Sequence, residues 1–201
     1  MTSRFFSLFI TLLVASLTAQ PGMAQSSWLT PNQQSLLFED LNRRISELDL
    51  GPEHEPEAIH RKSRQAVEAL ADRLDRWGPE VVVQRAPAIE VPPVIDPFLS
   101  AMARYGACTF YLEVWAQELD RPTGGEDGRL ATTFASFAMA MTSGYLRHHY
   151  LENGGEEELL EAYLGSEIMG RLGGEISRGE LHQADTARRC RPAIEGLLAD
   201  S

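Results

Sequence analysis

The sequence predicts an all-α protein: a bundle of about six helices with an N-terminal αα-hairpin, a proline-rich strap and a disulfide-tied C-terminal bundle. Apolar residues recur at spacings of three and four along most of the chain, which is typical of helices with one buried face. Cys108 and Cys190, the two cysteines, both fall on such faces, and we expect a disulfide that packs the last helix on the third. Glycine and proline separate the helical stretches, at Gly51-Pro52, Gly78-Pro79, Gly124-Gly125, Gly154-Gly155 and Gly173-Gly174.

Residues 1–24 have the layout of a secretory signal peptide. An arginine precedes an apolar run over residues 5–17, and the small residues Gly22 and Ala24 favour cleavage after Ala24. An uncleaved membrane anchor is the alternative, but the run is shorter than the roughly 20 residues that span a bilayer. We therefore expect a periplasmic or secreted protein with no stable membrane insertion after cleavage. Lys62 is the single lysine among 18 basic residues, a bias that favours GC-rich coding and hence a bacterial source.

Residues 25–77 predict the N-terminal helical hairpin. Thr30-Pro31 is typical of a helix start, with the threonine as the cap and the proline in the first turn. This first helix is expected to end at Gly51-Pro52. The second helix is expected from about Pro56 to Trp77, because one of its faces is apolar and the opposite face is dense in charge.

Residues 78–97 form the proline-rich strap. Prolines at positions 79, 87, 92, 93 and 97 exclude a continuous helix. Valines and isoleucines make the segment too apolar for a flexible linker. We predict an extended strap laid across the helices, with a two-stranded β-ribbon as the alternative.

Residues 98–201 predict the C-terminal helical bundle. Asp96-Pro97 opens its first helix, and Pro192 should bend its last one. Glutamates at 156–158 favour a helix start through the helix dipole. Four helices are expected, at about 97–119, at 126–153, from 156–158 onward and at about 180–198.

The composition argues against several classes of function. The net charge is −11 and the arginines are scattered without a basic stripe, so nucleic acid is not an expected partner. The sequence lacks Cys-x-x-Cys, the Gly-x-Ser-x-Gly elbow, the Walker loop and the Rossmann fingerprint. We therefore predict no cofactor and no catalytic residue. An acidic surface suits solubility or a basic protein partner.

Adjacent histidines near the end of the fourth helix are the main candidates for chemistry. His148 falls at the centre of the apolar arc of that helix, and Glu152 falls in the same sector. His149 is displaced by about 100° to the flank, so the two imidazoles cannot bind one ion together. Three interpretations stay open: a packed histidine stabilised by the helix C-terminus, a metal or ligand contact by His148 with Glu152, and a proton-transfer role.

Glu113 is the last of the candidate ligand or metal contacts, which are His148, Glu152, Glu113 and His149. The pattern of these residues does not specify a metal. Glu113 lies among apolar residues of the third helix, and a buried carboxylate is costly without a partner. We expect a salt bridge to an arginine. The functional alternative is a pair with His148, in which the carboxylate would raise the basicity of the imidazole.

Two functions fit these features. The first is an exported, non-enzymatic helical protein of the cell envelope that acts through protein–protein interaction, as an accessory protein, inhibitor or adaptor. It predicts an exposed apolar patch or groove, expected at the strap of residues 78–97. The alternative is a periplasmic helical bundle that binds a metal ion or a small apolar ligand near His148.

Overall fold

The predicted all-α bundle is confirmed in a computed structural model of the chain. The structure describes residues 31–48, 55–94, 96–118, 126–168, 170–171, 174–175, 178 and 183–198, and no strand occurs among them. The signal peptide expected at residues 1–24 lies outside these residues. Within the described part of the chain, no helix is long and apolar enough to cross a membrane. The helices are α1 (Pro31–Ser46), α2 (Pro56–Gln84), α3 (Pro97–Glu118), α4 (Glu126–Glu152), α5 (Glu157–Glu161, continued as a π-helix over Ala162–Ile168) and α6 (Gln183–Leu198).

The helices α3 and α4 form the centre of the bundle and run antiparallel. Ser143 Oγ on α4 donates to the carbonyl of Met102 on α3 at 3.2 Å, and Ser136 Oγ donates to the carbonyl of Thr109 at 3.5 Å. As the residue number rises on α3 it falls on α4, which defines the antiparallel direction. Consecutive residues of α3 are buried, including Ala101, Met102, Ala103, Ala107 and Cys108, as expected for a helix that is packed on several sides.

The N-terminal hairpin packs α1 against α2. Leu41 and Ile45 of α1 are buried in the same core as Val67 and Leu70 of α2. The polar link between the two helices is buried Ser63, whose Oγ donates to Asn42 Oδ1 at 2.6 Å. This hydrogen bond replaces the bonds to water that the hydroxyl loses when it is buried.

The break at Gly78 is present, but the chain becomes helical again directly after it. Gly78 has φ +72° and ψ 165°, outside the helical region, whereas α2 extends to Gln84. The prediction of an extended strap was therefore wrong for residues 79–84. Proline is tolerated in the first turn of a helix, where its missing N–H is not needed. Val82 fixes this turn, because it is fully buried and its carbonyl accepts a hydrogen bond from Tyr105 Oη at 2.9 Å.

The extended strap is confirmed over residues 86–94, which are not helical. Burial alternates along it, with Pro87 and Ile89 buried and the residues between and after them exposed, as in an extended chain laid on a surface. Tyr163 Oη holds its far end by donating to the carbonyl of Pro92 at 2.6 Å. Asp96 then caps α3, since its Oδ1 accepts hydrogen bonds from two backbone N–H groups of the first turn.

The predicted disulfide between Cys108 and Cys190 is present and joins α3 to α6. The two Cα atoms are 5.9 Å apart and both residues are fully buried. The bridge spans a sequence separation of 82 residues. The chain-entropy model assigns a loop of that size about 4.5 kcal/mol of stabilisation as an upper value.

Candidate functional site

His148 and Glu152 are brought together at the C-terminal turn of α4. His148 Nε2 lies 3.1 Å from Glu152 Oε1, and the two side chains are 32% and 61% exposed. The pair is therefore an i, i+4 contact open to solvent and not part of a buried cavity. A contact of this kind contributes little to stability.

His149 takes different partners from His148. Its ring packs against Phe98, with the ring centroids 5.1 Å apart, and its carbonyl accepts a hydrogen bond from Asn153 Nδ2 at 2.8 Å. The two imidazoles are thus held separately, as the helical spacing predicts. Among the described residues, no group of three or more His, Cys, Asp or Glu side chains is arranged to hold a metal ion.

Glu113 forms the expected salt bridge with an arginine. Its Oε1 is 2.5 Å from Arg44 Nη1 and accepts a hydrogen bond from Ser136 Oγ at 3.3 Å. Arg44 Nε also donates to Asp40 Oδ2 at 2.9 Å. Burial of Arg44 acts to lower its pKa, but the two carboxylates outweigh this effect and the pKa is raised.

The structure does not bring Glu113 to His148. Glu113 contacts α4 at Ser136, and the stretch of α4 from Ser136 to His148 corresponds to about 18 Å of helical rise. The two candidates therefore lie at different levels of the bundle. Their side chains have separate partners, so they do not form one site.

A second polar contact at the end of α4 was not found from the sequence. Arg147 is buried and its Nη2 lies 2.7 Å from Glu161 Oε1 and 3.4 Å from Glu157 Oε1. Both carboxylates belong to α5, so this ion cluster attaches α5 to α4. Its members satisfy one another, which favours a structural role.

An open cleft of about 300 Å³ lies between the strap and α6. Residues 85–88 form one wall, and Arg189, Pro192, Ala193 and Gly196 form the other. The cleft stays open because alanine, proline and glycine supply most of its lining. Its volume is at the small end of the range for ligand pockets.

Arg85 connects the two walls of this cleft. Its guanidinium lies over the ring of Trp77, 4.0 Å from the ring centroid. On the other side it reaches α6, since a Cβ placed on Gly196 would be 4.0 Å from Arg85 Nη1. A cation–π contact of this kind holds a side chain in one orientation while leaving its N–H groups free to donate.

The cleft is positively charged in an acidic protein. Within the described residues, neither Arg85 nor exposed Arg189 has a carboxylate partner. Burial raises the pKa of nearby Tyr105, while the positive charges of Arg104 and Arg85 act in the opposite direction. By contrast, the arginines with carboxylate partners include Arg43, Arg44, Arg147, Arg171 and Arg191.

The lining of the cleft is suited to binding. Its arginines can bind an anion, and the rings and methyl groups of Pro87, Pro192 and Ala193 offer apolar contact. None of the lining side chains is a nucleophile or a general base at neutral pH. The sequence predicted an exposed apolar patch or groove at the strap, but it did not predict that α6 forms a second wall. Arg189 was one of many scattered arginines, and only the pairing of α6 with the strap gives it a role.

No family model, no curated protein and no solved structure matches this chain. The function is therefore argued from the geometry and charge of the cleft.

Proposed function

We propose that this chain is an exported, non-enzymatic protein of the cell envelope that binds a partner protein at the cleft between the strap and α6. The observation that carries the proposal is the cleft itself, which combines apolar walls with two arginines that have no carboxylate partner in the described chain. Arginine is enriched at protein interfaces, where it often contributes much of the binding energy.

Export is supported by two independent features. The first residues have the composition of a signal peptide. The bridge between Cys108 and Cys190 is a fully buried disulfide, a kind of link that persists in oxidising compartments such as the periplasm.

A metal ion or small apolar ligand near His148 has less support. Glu152 already binds the imidazole, and both side chains are open to solvent. Ligands of that kind are usually bound in concave sites with several converging groups. No specific observation favours this alternative over the cleft.

Site-specific photo-crosslinking in the native cells tests the proposal. A photoreactive residue is placed at exposed Ala88 on the wall of the cleft, and a control is placed at exposed Gln65 on α2. We expect a discrete adduct from position 88 and none from position 65. Equal labelling from both positions, or no adduct from either, would contradict the proposal.

Two further variants show whether the adduct depends on the open cleft. Gly196→Leu places a branched side chain beside Arg85, whereas Gly196→Ala adds a methyl group at ordinary contact distance. The leucine variant should lose most of the adduct from position 88 and the alanine variant should retain it.

A further inference from the structure

The geometry points to the chemical nature of the occupant. We infer that the cleft binds an extended segment of the partner protein that lies beside the strap and places one acidic side chain between Arg85 and Arg189. This inference rests on the proposed function, and it adds the conformation and the charge of the bound segment.

The strap is an extended chain, and no strand pairs with it in the part of the chain that the structure describes. Between Ala88 and Val91, no backbone group makes a hydrogen bond within the described residues, whereas Ala86 N still donates to the carbonyl of Val83 at 3.3 Å. Ala88 and Glu90 are exposed. Free N–H and C=O groups along an extended segment are the feature by which a second extended chain is recognised. This favours a peptide over a compact ligand.

The two arginines select the charge of that peptide. Arg85 is already oriented by the Trp77 ring, so binding costs it less side-chain entropy than a freely rotating arginine. A guanidinium binds a carboxylate through two parallel hydrogen bonds. Arg189 stands on the opposite wall of the same small cleft, so both cations act on one anion.

The charge of the whole chain limits how acidic the segment is. With a net charge of −11, the surface repels a strongly acidic partner at most positions. One carboxylate among neutral residues gains the local attraction without that repulsion. The alanine and proline walls favour small apolar neighbours. Arg85 belongs to the turn that ends α2, and the remaining residues of this wall, 86–88, extend about 10 Å, which matches about three residues of an extended peptide.

Peptide binding to the intact disulfide-bonded protein tests the inference. The probes are labelled, capped hexapeptides with glutamate at a fixed central position and Ala, Val, Leu, Ser or Thr at each other position. The control set has glutamine in place of the central glutamate. We expect the best glutamate peptides to bind at least about tenfold more tightly than their glutamine counterparts in fluorescence anisotropy. Equal affinity of the two sets, or no binding by either, would overturn the inference.

Arginine variants assign the preference to the cleft. Arg189→Gln changes an exposed side chain, so the protein should still fold. The double variant with Arg189→Gln and Arg85→Gln should lose the preference for glutamate peptides. The control is Arg191→Gln, which removes the same charge from α6 outside the cleft, where Arg191 is paired with Glu195. A preference that persists in the double variant would place the carboxylate elsewhere and contradict the inference.

Backbone pairing has a separate signature. If the peptide adds as a strand, alternate amides among residues 88–91 gain protection from hydrogen exchange, because successive N–H groups of a strand point to opposite edges. No protection of these amides in the peptide complex would refute pairing with the strap.

Other occupants give different results. Octanoate binding as tightly as the best peptide would assign the cleft to small apolar acids. A dimer in sedimentation that Gly196→Leu abolishes would assign it to a second copy of the chain. Either result would overturn the inference. If the photo-crosslink at position 88 forms while all peptides fail, only the nature of the segment is wrong and the proposed docking site stands.

Discussion

Arg44 is at the centre of a group of ion pairs and hydrogen bonds that links three helices. It belongs to α1, binds Asp40 on its own helix and binds Glu113 on α3, and Glu113 also accepts from Ser136 on α4. These side chains are half-buried, where an ion pair with hydrogen bonds is worth more than on the surface.

Glu113→Gln should therefore destabilise the protein. The amide can still accept from Ser136, but the charge opposite half-buried Arg44 is lost. We expect the free energy of unfolding in urea to fall by about 1–2 kcal/mol. Glu195→Gln, which removes the carboxylate from the exposed pair with Arg191, is the control and should change it by less than about 0.5 kcal/mol. Equal effects of the two variants would contradict this account.

Buried tyrosines should make the protein less stable at high pH. Burial raises the pKa of Tyr111 and of Tyr145 to about 12, above the usual value of about 10. Near pH 11 the unfolded phenols are ionised while the folded ones hold their protons, so rising pH favours unfolding. The contribution is fully present below about pH 10 and is lost as the pH rises through about 12.

Absorbance titration of the phenolate checks this prediction. The native protein should ionise fewer tyrosines near pH 11 than the urea-unfolded chain, and urea midpoints should fall across the same interval. Tyr111→Phe should flatten that fall. A native titration that coincides with the unfolded one would show that these phenols are not shielded from water.

At the scale of elements, two glycines have opposite roles. Gly78 divides α2 with a φ of +72°, a conformation that residues with a Cβ rarely adopt. Gly196 lies within the helix α6, where glycine costs backbone entropy without any conformational need.

Replacing each glycine by alanine should give effects of opposite sign. Gly78→Ala forces a Cβ into a disfavoured conformation and should destabilise the protein by about 1–3 kcal/mol. Gly196→Ala should stabilise it by about 0.5 kcal/mol, because its methyl group meets Arg85 only at ordinary contact distance. Both changes are measurable as shifts in thermal unfolding. Stabilisation by Gly78→Ala would mean that the break in α2 is not required by the fold.

At the scale of the whole molecule, the disulfide positions the second wall of the cleft. Cys190 is flanked on α6 by Arg189 and followed within a turn by Ala193, both of which line the cleft. The bridge to Cys108 holds this stretch of α6 against α3. The cleft therefore depends on a covalent link made on a neighbouring face of the same helix.

Reduction should weaken both the fold and the cleft. The native protein should have a mass two units below the reduced one, because two hydrogens are lost. On reduction the midpoint of thermal unfolding should fall by roughly 10 °C, given a loss of a few kcal/mol in a domain of this size. Adduct formation from position 88 should fall in parallel. Labelling of both thiols in native protein without a reductant would contradict the bridge.

Local signals in the sequence determined most of the helices. Asp96-Pro97 predicted the start of α3 and Gly154-Gly155 the end of α4, and the structure has these boundaries to within about two residues. Apolar spacing placed Cys108 and Cys190 on buried faces, which was enough to predict their bridge. Such signals act over a few residues, so they can be recognised before any tertiary contact is known.

Tertiary structure decided the partners of the charged residues and the shape of the cleft. Arg44 and Glu113 are 69 residues apart in sequence, and no periodicity pairs them. Helical spacing placed His148 in an apolar sector, but Leu146 and Tyr150 take the buried positions of that turn, and the His148 side chain is 32% exposed. Residues 79–84 became helical because Val82 could be buried against Tyr105. The cleft joins residues 85–88 to the last helix, and only the packing of α6 beside the strap brings Arg85 and Arg189 into one cleft.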